Sequence, residues 1–112
     1  MTVREDIATA ASLAGVVNVT PYFRQSLKAG DGFVRFASQA RSSNGFGWMK
    51  TWEVWVAVPQ DVEAAEKWLE ANLQPLIDRL DTELIVTGAA PAELVLGTTT
   101  ANGLIVTGAR EA

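Results

Sequence analysis

The chain has 112 residues, 48% hydrophobic and 20% charged, which excludes wholesale disorder and provides for one core-forming domain rather than two. It contains no cysteine and no histidine, so disulfides, thiolate nucleophiles, cysteine-type zinc sites, histidine general bases and serine–histidine triads are excluded together. The formal charge of −4 divides unevenly, with six Lys/Arg against four Asp/Glu in residues 1–56 and three against nine in residues 57–112. The basic part runs from Thr20 to Lys50, where Arg24, Lys28, Arg35, Arg41 and Lys50 face Asp31 alone. Such a division can be satisfied within the fold or between copies of it.

The opening MTVREDIATAASLAG has early acidic residues and no long apolar stretch, so it is not expected to act as a secretory signal. No run approaches the roughly 18 apolar residues of a membrane span. Thr2 and Glu5 have capping-box spacing, and Val3, Ile7, Ala10 and Ala14 share one side of a helix that Gly15 can end. Val16–Val19 favours a short strand, with Pro21 confining any continuation to an edge or a turn. Gly30-Asp31-Gly32 is a turn signal, after which Phe33–Ala37 resumes a strand pattern with Phe33 and Arg35 on one side and Val34 and Phe36 on the other.

The segment ARSSNGFG, residues 40–47, centres on Asn44-Gly45, a pair suited to a hairpin turn that needs positive φ. A long hairpin is therefore expected, Gly32–Arg41 against Trp48–Val58, with Phe46 near its tip. Period-two alternation puts Trp52, Val54, Val56 and Val58 on one face, while Lys50, Glu53, Ala57 and Trp55 are assigned to the other. An aromatic residue on each side implies that the second side is covered too, by a distant part of the chain or by another subunit. The expectation is that Trp52 holds the fold together and Trp55 holds copies or partners together.

Pro59 closes the strand and Asp61 can cap the next helix. Val62, Ala65, Leu69, Leu73, Leu76 and Leu80 fall in one arc with Ile77 beside it, opposite Glu63, Glu66, Lys67 and Glu70. Pro75 removes a hydrogen bond to Ala71, giving a kinked helix or two consecutive ones. In the last thirty residues or so LIVTGA occurs twice, at Leu84–Ala89 and Leu104–Ala109, with ELVL at Glu93–Leu96 between them. With turns expected at Gly88–Pro91 and across Thr98–Thr100 and Asn102-Gly103, this reads as an antiparallel meander of three short strands.

The glycine pairs at Gly30/Gly32 and Gly45/Gly47 lack the strand-to-helix setting of a phosphate loop. Asp78, Asp81 and Glu83 form the densest carboxylate group, but their spacing matches no calcium loop. Basic residues interleaved with Tyr22, Phe23, Phe33, Phe36 and Phe46 meet the composition of a single-strand nucleic-acid platform, against an acidic overall charge. No catalytic residue, metal ligand or cofactor site is assigned, and the chain is not expected to be an enzyme.

The order of elements describes an α+β fold: a mostly antiparallel sheet with a long hairpin, covered on one face by two to three helices. The layout of the opening helix Val3–Ala14, GDGFVRF at Gly30–Phe36, the Trp48–Val58 strand running into Pro59 and the amphipathic helix resembles the small tail terminator proteins of long-tailed bacteriophages. The resemblance spans nearly the whole chain, residues 1–112 as a single domain with an extended hairpin at about residues 32–58. It implies a virion protein, assembled in the host cytoplasm, that forms a ring, expected to be a homohexamer, on the last ring of the major tail tube protein. The ring would stop tube polymerisation and offer its other surface to the head–tail connector or neck protein, with DNA passing through it and no membrane involved. On the local pattern, Trp55 and Phe33 are assigned to subunit or layer contacts and Phe46 with Arg41 to the hairpin tip. Arg24, Lys28 and Lys50 would oppose Glu63, Glu66 and Glu70 of a neighbour. The alternatives are a small ligand-binding or regulatory module, with an apolar pocket lined by Trp52, Trp55 and Leu69, and a carboxylate or Tyr22 enzyme with Tyr22, Asp31 and a basic residue converging in a cleft.

Overall fold

The structure, a computed structural model, describes residues 2–12, 17–22, 29–41, 45 and 47–111. Among these residues two helices, α1 (Val3–Ser12) and α2 (Val62–Leu80), accompany five strands: β1 (Asn18–Thr20), β2 (Asp31–Arg41), β3 (Trp48–Ala57), β4 (Ile85–Leu96) and β5 (Thr99–Glu111). The strands form one sheet in the order β1-β2-β3-β5-β4, with β1 parallel to β2 and every other neighbour antiparallel. This is the expected α+β architecture, and two helices cover one face of the sheet.

Local chemistry accounts for most of the element boundaries. Glu5 N–H donates to Thr2 Oγ1 at 3.2 Å, and the Glu5 carboxylate reaches back to Thr2, so the capping box forms. Asp61 caps α2 by accepting from Ala64 N–H at 3.1 Å. Pro75 lies inside a single continuous helix rather than between two. The start of β2 differs from expectation: the turn is at Ala29-Gly30, where Gly30 adopts φ 91°, and Asp31-Gly32 already belongs to the strand. Gly15, the expected helix stop, lies outside the described residues.

The principal core lies between the sheet and the helices. One row across the sheet is Val34–Val54–Val106–Ala89, and Trp52 and Val56 lie beside it on the same face. Onto it pack Ile7, Ala8 and Ala11 of α1 and Leu76 and Leu80 of α2. Ala65, Leu69 and Leu73 contribute only partly buried contact, and Val62, placed in the apolar arc, is 73% exposed because it begins the helix beyond the sheet's cover.

The expected three-strand meander is corrected. Gly88–Pro91 is no turn; β4 runs through it, with a bulge between Val86 and Gly88, and turns only at Gly97-Thr98. Pro91 is tolerated because β4 is the last strand of the sheet and one of its edges has no ladder partner. The two LIVTGA segments pair with each other, Ile85 opposite Ala109 and Ala89 opposite Val106.

Lys50 is also corrected. It stands two residues from Trp52 in a strand whose pairing with β5 is unbroken, so it shares the face of Trp52 rather than that of Trp55.

Candidate functional site

The second face of the sheet decides whether Phe33 and Trp55 can serve an interface. Phe33, Trp55, Ile105 and Ala90 form one row across β2, β3, β5 and β4. Phe33, Leu94 and Leu96 are buried together, with Trp55, Ala101 and Ile105 packed against them. Leu94 is separated from Phe33 by β5 and β3 in the sheet order, so the far end of the β4–β5 hairpin must bend across this face to reach it. Gly103 permits the bend: a Cβ there would collide with the Leu94 side chain and lie 2.8 Å from the Val56 carbonyl oxygen.

The cover is therefore the chain's own. Phe33, with 0% exposure, has no surface left for a partner, and its assignment as a subunit contact is corrected to a core role. Trp55 is partly buried by the same group. Its ring lies 5.5 Å from that of Phe33, Arg35 stacks 4.6 Å from its centroid, and its indole N–H donates to Glu53 Oε1 at 3.0 Å.

The β2–β3 hairpin extends to the Arg41–Trp48 pair, with β5 beside β3 as far as Met49 opposite Glu111. Residues 35–41 of β2 are all exposed, and Arg41 faces Trp48 at the last described pair, its guanidinium 4.2 Å from the indole centroid. Trp48 is 42% exposed, and Gly45 in the connection adopts φ 78°, as an Asn-Gly turn requires. Phe46, Arg24 and Lys28, three of the expected contact residues, lie outside the described residues. Along the same face toward the body, Phe36 meets Trp52 edge-on at 5.3 Å. Arg4 lies between Tyr22 and Trp52, 4.8 and 5.4 Å from their rings, and donates to the carbonyls of Pro21 and Val34. Trp52 is buried, and its own indole N–H has no acceptor among the described residues.

The opposite end of β3 is chemically different. Gln60 and Asn102 exchange hydrogen bonds through both side chains and backbones, pinning the β3–α2 connection to β5. Beside them a cavity of about 290 Å³ opens between the first turns of α2 and the β4–β5 bend. Val58, Val62, Ala65, Leu69 and Pro91 make it apolar, and Glu66 is the carboxylate among its lining residues. It contains Leu69 but neither Trp52 nor Trp55, so it is not the enclosed tryptophan pocket expected of a ligand-binding module. Glu63 pairs with Lys67 at 3.3 Å, both exposed; Glu70 is exposed further along α2, and Glu93 stands opposite Asn102 at the same end.

These two ends are the full length of β3 apart, nine residue steps or roughly 30 Å at strand rise, in a molecule 46 Å along its longest axis. Neither Arg41 nor Lys50 has a carboxylate partner among the described residues. At several times the roughly 8 Å Debye length of physiological salt, the basic tip and the acidic helix start do not neutralise each other within one chain.

Three further carboxylates are engaged locally. Asp78 accepts from Gln74, Asp81 from Val86 N–H, and Glu83 binds Arg110 at 3.0 Å. Tyr22 is exposed and stacked on Arg4, whereas Asp31 is buried at the start of β2.

Trp48 and Glu93 are the surface residues that the sequence reading passed over. Trp48 was legible, because a hairpin closed at Asn44-Gly45 sets it opposite Arg41; Glu93 was hidden by the turn assigned just before it. No family model matches the chain, and no curated protein matches it in sequence.

Proposed function

We propose that this chain is a structural virion protein that assembles as a ring, six copies being the expected number, caps a phage tail tube and joins it to the head connector. The observation that supports this most is the separation of a basic aromatic tip from an acidic helix start at opposite ends of one elongated domain. Unlike surfaces at opposite ends favour head-to-tail association, and head-to-tail contacts close into rings where the rotation permits. The sequence layout shared with tail terminators gives the ring its place. The partners are further copies of the chain, the tail tube protein and the connector, with DNA passing through the ring, and the location is the virion tail.

The test is tail assembly in the producing host with the coding sequence deleted and then restored. Loss of the chain should yield tails of uncontrolled length that do not join heads, and supplying it should restore both. Tails of normal length joined to heads without it would overturn the reading.

A further inference from the structure

We propose that the β2–β3 hairpin tip of one copy docks into the cavity beside α2 of the next copy, with Trp48 as the anchor and Arg41 and Lys50 facing Glu66 and Glu63. For its ring, though not for its chemistry, this contact rests on the function proposed above. The two surfaces fit in three respects. An exposed aromatic stands at one end and an apolar cavity at the other. At about 290 Å³ the cavity lies at the small end of the range of roughly 300–1,000 Å³ for small-molecule pockets, a size suited to a single large side chain. Two cations without carboxylate partners among the described residues flank the aromatic, and carboxylates line or adjoin the cavity.

The shape of the chain makes the contact intermolecular. β3 is a continuous strand paired along its length on both sides, so it cannot fold back to bring its own tip to its own cavity. Trp and Arg are also the residue types that most often dominate interface energetics, provided they enter a desolvated pocket.

Because the chain has no cysteine, single reporters are clean. Gln39→Cys, on the face of Trp48 and Lys50, and Val62→Cys at the cavity, each in the full chain, are mixed in equal amounts at low salt and high concentration and then oxidised. The expected result is mixed dimer well above the statistical share. Adding Glu66→Lys to the Val62→Cys chain should remove the excess, and adding Arg41→Glu with Lys50→Glu to the other chain should restore it. A statistical mixture, or an excess indifferent to the charge changes, overturns the contact. Gln39 is exposed, so this substitution leaves the core untouched. Mixed-dimer excess alongside normal tails in the chain's absence would keep the contact and remove the tail reading. Statistical dimers alongside over-long tails would do the reverse.

Discussion

Leu94→Ala tests whether the β4–β5 hairpin closes the second face of the sheet. Leu94 is fully buried, although it lies on the edge strand, and its burial comes from Phe33 and Leu96 with partial cover from Trp55, Ala101 and Ile105. Truncating a buried leucine costs about 2–5 kcal/mol, the spread reflecting how far the surroundings collapse into the cavity. Here the cluster is small and sits at the free end of a hairpin, so the lower part of that range, about 2–3 kcal/mol, is expected. For a domain of this size that lowers Tm by roughly 10–15 °C. Leu80→Ala, in the principal core between α2 and the sheet, should cost more, about 3–5 kcal/mol. Val95→Ala, next to Leu94 but exposed, should stay within about 0.5 kcal/mol of the parent. Urea unfolding followed by tryptophan fluorescence measures all three, with Trp55 reporting on the affected cluster. If Leu94→Ala is as mild as Val95→Ala, the hairpin does not cover that face, and Phe33 and Trp55 return as candidate subunit contacts.

Gly103→Ala should destabilise by about 1–3 kcal/mol, because the added methyl meets Leu94 and the immovable Val56 carbonyl; in a Leu94→Ala background the penalty should shrink, as a double-mutant cycle by urea unfolding would show. Asp61→Ala removes the acceptor for Ala64 N–H and should cost about 1 kcal/mol by thermal unfolding, with the fold retained. Pro75→Ala returns a donor to the Ala71 carbonyl in an otherwise continuous helix and should raise stability by about 1–3 kcal/mol, seen as a higher Tm and stronger helical circular dichroism.

Elements governed by contacts close in sequence were legible. The capping box, the Asp61 cap, the second helix and the long hairpin each depend on residues a few positions apart, and each appears where its pattern put it, although only Leu76 and Leu80 of the α2 stripe are fully buried. The last thirty residues or so were misread for a tertiary reason. Gly88 and Pro91 punctuate the sequence like a turn, but an edge strand tolerates both, one beside a bulge and the other where no ladder partner is lost. The second face shows the same limit. Alternation revealed that Trp55 and Phe33 form an apolar face, but the cover arrives from Leu94 and Leu96, some forty residues later, past a Gly103 that leaves room for Leu94. The cavity beside α2 was hidden with it, since one wall is that bend.

With the second sheet face closed by the chain itself at its Phe33–Leu94 end, the large apolar residues left exposed are informative by where they fall. Tyr22, Phe36 and Trp48 lie along the hairpin and its root among arginines; Val62, Ile85 and Val95 lie on α2 and β4, the part of the chain that carries the excess of carboxylates. A basic aromatic strip is also what a single-stranded nucleic acid would need, and the ring faces decide between the two partners. Bases stack on open aromatic faces. Here the Tyr22 and Trp52 rings are taken by Arg4, the Trp48 ring by Arg41 and the Trp55 ring by Arg35, and Arg4 is further committed to two backbone carbonyls. Each of these cations covers one face of its ring, a face on which a base would stack. An exposed aromatic flanked by cations suits an apolar cavity adjoined by carboxylates, and the chain presents one at its other end.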